Sequence, residues 1–183
     1  MPNRIFIWPG QLPSELDGLH ASLTAALGGT EIIRLESLED LASSRDGEHA
    51  DDALLVVQVD TWLSPALGAS LAAPQLNSVV IVSDEFLGTD LPDFDPAAAA
   101  GAAVAAVRSL AVQRGSSSRA NAVCVPAAMF GKVSALRGPL ATKVELLDVV
   151  EAVVFFLSEE NAYLNGQLLF VNGGRHLFSS FTA

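Results

Sequence analysis

Residues suited to acid–base or nucleophilic chemistry are few and scattered in this sequence. Ser83 ends an apolar run, where its hydroxyl would donate to an oxyanion or, in the simpler alternative, satisfy the loop that follows. The three histidines fall in separate regions, with no Ser or Cys in a triad-like context: His20, His49 and His176. Cys124 lies inside an apolar run, where a thiol behaves as a small hydrophobe. No catalytic triad is predicted.

Four aspartates cluster between the apolar run that ends near Ser83 and the next helix: Asp84, Asp90, Asp93 and Asp95. They would suit an acidic metal or cation site, but a solvated acidic loop with a helix cap is the simpler explanation. The sequence has no CxxC motif and no Cys/His cluster, so no structural metal is predicted.

Short apolar runs predict the strands that would position these side chains. Each run is bounded by turn residues or charge, as in strands buried on both faces of a parallel sheet. The predicted strands are 4–8, 31–35, 53–59, 78–82, 120–125 and 167–171. Because helical segments alternate with these strands, the class is α/β with a mainly parallel, doubly wound sheet.

Three segments have the signals of helices. The Ala-rich stretch 95–113 has Asp95 placed to cap it, Pro96 suited to its first turn and Gly115 beyond its end. Segment 16–27 has apolar residues at helical spacing after Ser14, a possible cap. Segment 143–157 has a wide apolar stripe. The 95–113 helix is rich in small residues on nearly every face, which predicts a helix buried between the sheet and a neighbouring element.

Composition limits the partners and the compartment. The 183 residues, half of them hydrophobic, predict one domain spanning 1–183 with a sizeable core. A formal charge of −11 disfavours nucleic acid and anionic membranes. The single cysteine, the absence of a signal-peptide pattern in 1–10 and the shortness of apolar runs such as 149–157 predict a cytoplasmic protein.

Three blocks in the second half of the chain resemble the short-chain dehydrogenase/reductase family. They read RSLAVQ at 108–113, RANAVCVP at 119–126 and LLDVVEAVVFFLSEENAYLNGQLLFVNGG at 146–174. The family has a similar Arg-Ser-Leu-Ala at a helix end, Asn-Ala-Val-x-Pro-Gly on a strand, and a late segment that ends in Val-Asp-Gly-Gly. The resemblance implies a Rossmann-like sheet of about six strands flanked by helices.

The family's cofactor motif is degenerate in this chain. Family members bind NAD(P) at a TGxxxGxG turn, because absent side chains let the pyrophosphate approach a helix N-terminus. The equivalent here is PGQLPSEL at 9–16, in which only Gly10 remains. Pro13 removes a backbone donor and Glu15 adds a negative charge, while the family's Asn-Asn-Ala-Gly corresponds to 57–60 without its glycine. The resemblance therefore predicts a vestigial Gly10 and no bound NAD(P).

The family's catalytic pair is also missing. Members use a Ser at a strand end, a Tyr as acid/base and a Lys four residues later. Counting back from the 108–111 block places Ser83 at the Ser position, Pro96 at the Tyr position and Ala100 at the Lys position. Neither Pro96 nor Ala100 transfers a proton. The only tyrosine, Tyr163, matches a structural position.

Several family elements are shortened. The gap before Ala53 is too short for the usual helix, strand and helix, which predicts loss of the third, edge strand. Segment 61–77 is too short for the long helix usual there, and 127–142 matches a trimmed version of the loop that covers substrate.

These features predict a non-catalytic member that associates with itself or with an active paralogue in a structural or regulatory role. Association would use the 95–113 helix, the 143–157 helix, the last strand and the apolar tail, with these interface residues: Arg108, Phe155, Phe156, Phe170, Leu177, Phe178 and Phe181. Two alternatives remain: an atypical NAD(P)-dependent oxidoreductase or other enzyme that uses Ser83, Asp84 or Lys132 in the old cleft, and a small-molecule binding module.

Overall fold

Six parallel strands form the centre of the fold. The computed structural model describes residues 1–2, 4–8, 14–35, 52–57, 76–87, 94–132, 138–140 and 142–177. The strands are β1 Arg4–Trp8, β2 Glu31–Arg34, β3 Ala53–Val57, β4 Asn77–Ser83, β5 Ala120–Val125 and β6 Leu168–Phe170. Their order across the sheet is β2-β1-β3-β4-β5-β6, and every neighbouring pair is parallel. This confirms the Rossmann-like, doubly wound sheet that the sequence predicts.

The strands lie where the apolar runs place them, with small differences at their ends. β1 and β5 have the predicted bounds, and β4 extends the prediction by one residue at each end. The central strands β3 and β5 are buried at every position, because helices cover both faces of the sheet. Residues 36–51, where a lost edge strand was predicted, lie outside the described part of the chain, as do 58–75.

Within the described residues the helices are α1 Leu19–Ala26, α2 Phe94–Arg114 and α3 Leu146–Leu157. Short 3-10 turns occupy Ser14–Leu16, Asp84–Leu87, Ala127–Phe130, Glu159–Asn161 and Arg175–Leu177. The Asp84–Leu87 turn continues directly from the carboxyl end of β4, and the Ala127–Phe130 turn closely follows the carboxyl end of β5. They therefore determine which side chains are presented at that edge of the sheet.

Three predicted helix starts were wrong. α2 begins at Phe94, so Asp95 lies in the first turn, where a carboxylate favours the positive end of the helix dipole, rather than at the cap. α3 begins three residues later than predicted, because Glu145 is extended and forms a capping box with Asp148. α1 begins after Gly18, and Ser14 starts the preceding 3-10 turn instead of capping the helix.

The helices pack on opposite faces of the sheet. α2 buries one side against alternate strand residues such as Phe6, Val80 and Cys124. α1 and α3 pack on the other face, against residues such as Ile7 and Ile81. The prediction that α2 is covered on both sides was wrong among the described residues, because its outer positions, including Ala105 and Val112, are exposed.

Residues Asp95–Arg114 are long and apolar enough to cross a membrane by length and composition alone. Helices that pack in protein cores meet the same test, and α2 has a face buried on the sheet, at Ala103 and Val107 among others.

Candidate site at the carboxyl edge of the sheet

Ser83 is the last residue of β4, and its neighbours in the chain turn immediately into a 3-10 helix. On the adjacent strand, β5 ends at Val125, and the Ala127–Phe130 turn closes with Gly131 in the left-handed conformation (φ 74°). Lys132 follows this turn. Because parallel strands end at the same edge, the two turns bring side chains from both strands together.

Ser83, Glu85 and Lys132 form one hydrogen-bonded group. The Ser83 hydroxyl donates to Glu85 Oε2 at 2.9 Å and accepts from the Glu85 amide at 3.3 Å. Lys132 Nζ lies 3.1 Å from the same Oε2 and 3.4 Å from Oε1. The lysine and glutamate side chains are 19% and 12% exposed. Sequence analysis identified Ser83 and Lys132 but missed Glu85, the carboxylate that joins them.

This group is poorly arranged for nucleophilic chemistry. A carboxylate beside an amine favours the charged ammonium, which has no lone pair with which to take the serine proton. The Ser83 hydroxyl is bonded to a carboxylate that already accepts from Lys132, so its geometry is that of a satisfied strand-end hydroxyl. The simpler of the two interpretations of Ser83 therefore fits the geometry better.

A second polar group is buried beside the first. Asp84 is fully buried, and its Oδ2 accepts from the Asn172 side-chain amide at 3.0 Å. The Arg175 guanidinium lies 3.6 Å from the same oxygen. His176 Nδ1 is 3.0 Å from Asn172 Oδ1, and its ring stacks on Phe170 with centroids 4.4 Å apart. The group thus ties the end of β4 to the turn after β6.

Cys124 on β5 is affected by this buried charge. Burial raises the pKa of its thiol to about 12, with a further increase from the charge of Asp84 and an opposing effect of Arg108. A thiol with this pKa is not a nucleophile at neutral pH, which agrees with its assignment to the core.

Pro96 and Ala100, the positions predicted to correspond to the family's catalytic pair, lie in α2 and have no titratable group. Ala100 is 2% exposed and packs in the core between α2 and the sheet. Pro96 is half-buried in the first turn of α2. An amide hydrogen there would have no partner within the helix, so proline removes no hydrogen bond. A proton donor is therefore absent from both positions.

The structure separates the other predicted site residues. Asp95 is exposed in α2, while Asp84 is fully buried, so these two do not form a joint acidic site. His20 lies at the far side of the sheet, with Nε2 3.3 Å from the Ile32 carbonyl oxygen. Among the described residues no group of three or more His, Cys, Asp or Glu is placed to hold a metal ion. The remaining candidates lie outside the described residues: Gly10, His49, Asp90 and Asp93.

The predicted interface residues differ widely in exposure. Phe156 is 3% exposed and packs in the core beneath α3, whereas an interface residue is expected to be exposed. Phe155 is 43% exposed and Leu177 is 54% exposed, and Arg108 is also exposed. Phe170 is half-buried beneath His176. Phe178 and Phe181 lie outside the described residues.

Asn172 and Arg175 were not identified from the sequence. One signal was available for Asn172, because it stands where the family motif has Asp, directly before the paired glycines. Nothing in the sequence connects either residue to Asp84, since 88 positions separate Asn172 from Asp84.

A small cavity of about 60 Å³ lies at the opposite edge of the sheet, near the start of β3 and β4. Arg119 lines it and donates to the Asn161 carbonyl oxygen at 2.8 Å. Burial lowers the pKa of Arg119, and the nearby Glu159 opposes that decrease. The cavity is far smaller than the several hundred Å³ of typical ligand pockets.

The parallel sheet, its strand order and its helical layers define a Rossmann-like α/β domain. More specifically, the chain has the fold of short-chain dehydrogenases/reductases. No family model and no curated relative matches the sequence.

Solved structures establish this likeness over nearly the whole chain. A small-chain dehydrogenase in complex with NADPH superposes with a TM-score of 0.72 at 14% identity, covering 97% of this chain and 100% of that one. A short-chain type dehydrogenase/reductase from Mycobacterium ulcerans gives 0.67 at 15% identity, covering 100% and 94%. The enoyl-acyl carrier protein reductase of Bacillus cereus, with NADP+ and indole naphthyridinone, gives 0.66 at 17% identity, covering 96% and 97%. At these identities the likeness concerns the fold.

Proposed function

We propose that this chain is a non-catalytic subunit with the short-chain dehydrogenase/reductase fold. It associates with a second copy of itself or with an active dehydrogenase of the same fold, in a structural or regulatory role. It binds no NAD(P) in this role.

The observation that carries the proposal is the position of Ala100. It stands at the family's lysine position and is 2% exposed against the sheet. A lysine at this position would bury its ammonium group in the core between the helix and the sheet. Pro96, at the tyrosine position, supplies no proton either.

The polar groups at the carboxyl edge support the same conclusion. Ser83 and Lys132 both bind Glu85, and Asp84 binds Asn172 and Arg175. These side chains contact one another across the ends of neighbouring strands, which favours a structural role for them.

Association involves two separate surfaces, because α2 and α3 lie on opposite faces of the sheet. The first is the outer side of α2, with Arg108 and Val112 exposed. The second is the outer side of α3, with Leu147 60% and Phe155 43% exposed. Large apolar side chains that remain exposed on helices favour contact with a partner.

The competing function is an atypical NAD(P)-dependent enzyme, since solved structures with this fold bind NADPH or NADP+. The test is titration of the purified chain with NADH, NADPH and their oxidised forms, followed by fluorescence and calorimetry. We expect no saturable binding up to about 1 mM. Saturable binding together with turnover by the lone chain would show that it is an enzyme.

The association is tested separately by light scattering after size exclusion, on the chain alone and on its mixture with dehydrogenases of the same source. Arg108→Glu tests the α2 surface and Phe155→Glu the α3 surface. Ala25→Glu, on the exposed side of α1, is the matched control. We expect at least one of the first two variants to dissociate a complex that the control retains. A chain that stays monomeric alone and in every mixture would rule out the subunit role.

A further inference from the structure

Residues 138–140 lie directly against the turn that follows β6. The Leu140 amide donates to the Gly173 carbonyl oxygen at 3.1 Å. This backbone bond joins the end of the 127–142 segment to the turn 172–175. We call residues 138–140 the strap.

The approach of the strap to the turn requires a glycine at 138. A Cβ atom on Gly138 would overlap the Gly173 carbonyl oxygen and lie 2.6 Å from its carbonyl carbon. It would also lie 3.0 Å from the Asn172 carbonyl oxygen. All three obstacles are backbone atoms, which do not rotate away as a flexible side chain does. The two backbones therefore stay in contact only because residue 138 has no side chain.

The turn contributes its own glycine to the contact. Gly174 has φ +82°, and a Cβ there would lie 2.9 Å from Pro139 Cδ. A side chain at 174 would thus be strained by its backbone conformation and would also displace the strap.

The turn 172–175 is itself fixed to the end of β4. Asn172 and Arg175 both contact Asp84, at 3.0 and 3.6 Å. Asp84 is fully buried, and two of the groups that cover it belong to the turn. Movement of the turn would therefore break its contacts with Asp84 and its contacts with the strap together.

We propose that the strap, the turn 172–175 and Asp84 form one closed unit across the carboxyl edge of the sheet, which opens and closes cooperatively. The glycine contacts keep it closed in the free chain. This inference goes beyond the proposed function, because the unit acts as a closure whether the chain is a subunit or an enzyme.

Native-state amide hydrogen exchange tests the closure. The Leu140 amide reports the strap, and the Leu177 amide, which donates to the Gly174 carbonyl oxygen at 3.0 Å, reports the turn. The Val171 amide donates to the Cys124 carbonyl oxygen at 2.8 Å and is the reference for the sheet. In the unsubstituted chain we expect Leu140 and Leu177 to be protected by similar factors, at least about tenfold above free exchange. An unprotected Leu140 amide would overturn the proposal without any variant.

Gly138→Ala is expected to accelerate exchange at Leu140 and Leu177 together by about tenfold or more, with Val171 unchanged. Gly28→Ala is the matched control, because a Cβ at Gly28 has nothing within 4 Å. It should leave all three amides unchanged.

Cooperativity is tested from the other end of the unit. Asn172→Ala removes the amide that bonds Asp84 and should accelerate Leu140 and Leu177 by the same factor. Ser83→Ala, which removes only the bond to Glu85, is its control and should leave both amides unchanged. Faster exchange at Leu177 with Leu140 unchanged would show that the turn and the strap move independently, and the proposed unit would be wrong.

Discussion

The side-chain amide of Asn172 donates a hydrogen bond to Oδ2 of Asp84 at 3.0 Å, beneath the surface at the carboxyl edge of the sheet. The Asp84 carboxylate, beside Arg175, accepts hydrogen bonds, so the side-chain nitrogen of Asn172 faces Asp84. The side-chain oxygen of Asn172 is then left to accept from His176. His176 therefore carries its hydrogen on Nδ1. The family motif has Asp at position 172, and an aspartate there would meet Asp84 as a second negative charge.

Asn172→Asp is accordingly expected to destabilise the chain. The substitution restores the family residue but places two carboxylates at hydrogen-bond distance beside Arg175. We expect the free energy of unfolding to fall by about 2–3 kcal/mol at pH 7. The measurement is urea denaturation.

The same variant has a defined pH dependence. Like charges raise the pKa of the carboxyl pair in the folded state, so the folded chain holds a proton that the unfolded chain releases. The difference in the free energy of unfolding between the variant and the unsubstituted chain should therefore become smaller as the pH falls from 7 to about 4. A deficit independent of pH would show that lost packing, not charge, is responsible.

Ala100→Lys tests which side of α2 faces the core. Because Ala100 is 2% exposed in the core, a lysine there buries an unpaired ammonium. We expect a loss of about 3 kcal/mol or more in the free energy of unfolding. Ala105→Lys on the exposed side of the same helix is the control and should change stability by no more than about 0.5 kcal/mol. Equal effects at the two positions would contradict the orientation of α2.

Gly101→Ala is expected to stabilise the chain. Gly101 lies inside α2, and a Cβ there would make ordinary contact with Phe86 Cβ at 3.8 Å. Replacing a glycine inside a helix with alanine contributes about 0.5–1 kcal/mol, because the unfolded chain loses conformational freedom. Thermal unfolding should show a rise in Tm of a few degrees. A lower Tm would mean that the space beside Phe86 is smaller than the structure indicates.

Cys124 is expected to make stability depend on pH in alkaline solution. Its pKa is about 12 in the folded chain against an ordinary value of 9.0, so the unfolded chain releases the proton first. Stability should fall as the pH rises above 9, by up to about 1.4 kcal/mol per pH unit. The variant Cys124→Ala should lack this part of the decrease.

The same burial predicts the reactivity of the thiol. A disulfide reagent at pH 8 should leave native Cys124 unmodified for hours and label one thiol per chain within minutes in denaturant. Rapid labelling of the native chain would show that β5 opens locally.

Local patterns in the sequence were sufficient for most of the fold. The apolar runs placed β1 and β5 at their observed bounds, because a strand buried on both faces needs an uninterrupted apolar segment. The start of α3 was harder to predict from composition, because the capping box between Glu145 and Asp148 determines where the helix begins. The candidate site was predicted in part: Ser83, Asp84 and Lys132 were named, whereas Glu85, Asn172 and Arg175 were not.

The apolar runs and their spacing alone determined the fold class and the order of strands and helices along the chain, whereas the assignment of Pro96 and Ala100 to the catalytic positions came from the family resemblance and stays a prediction. The fold class and the order of elements are properties of residue types and of local periodicity. Tertiary structure decided that Ala100 faces the core, that Phe156 is buried while Phe155 is exposed, and that Asp84 meets Asn172 and Arg175. Such contacts join residues far apart in the chain, and they exist only once the sheet brings the end of β4 beside the turn after β6.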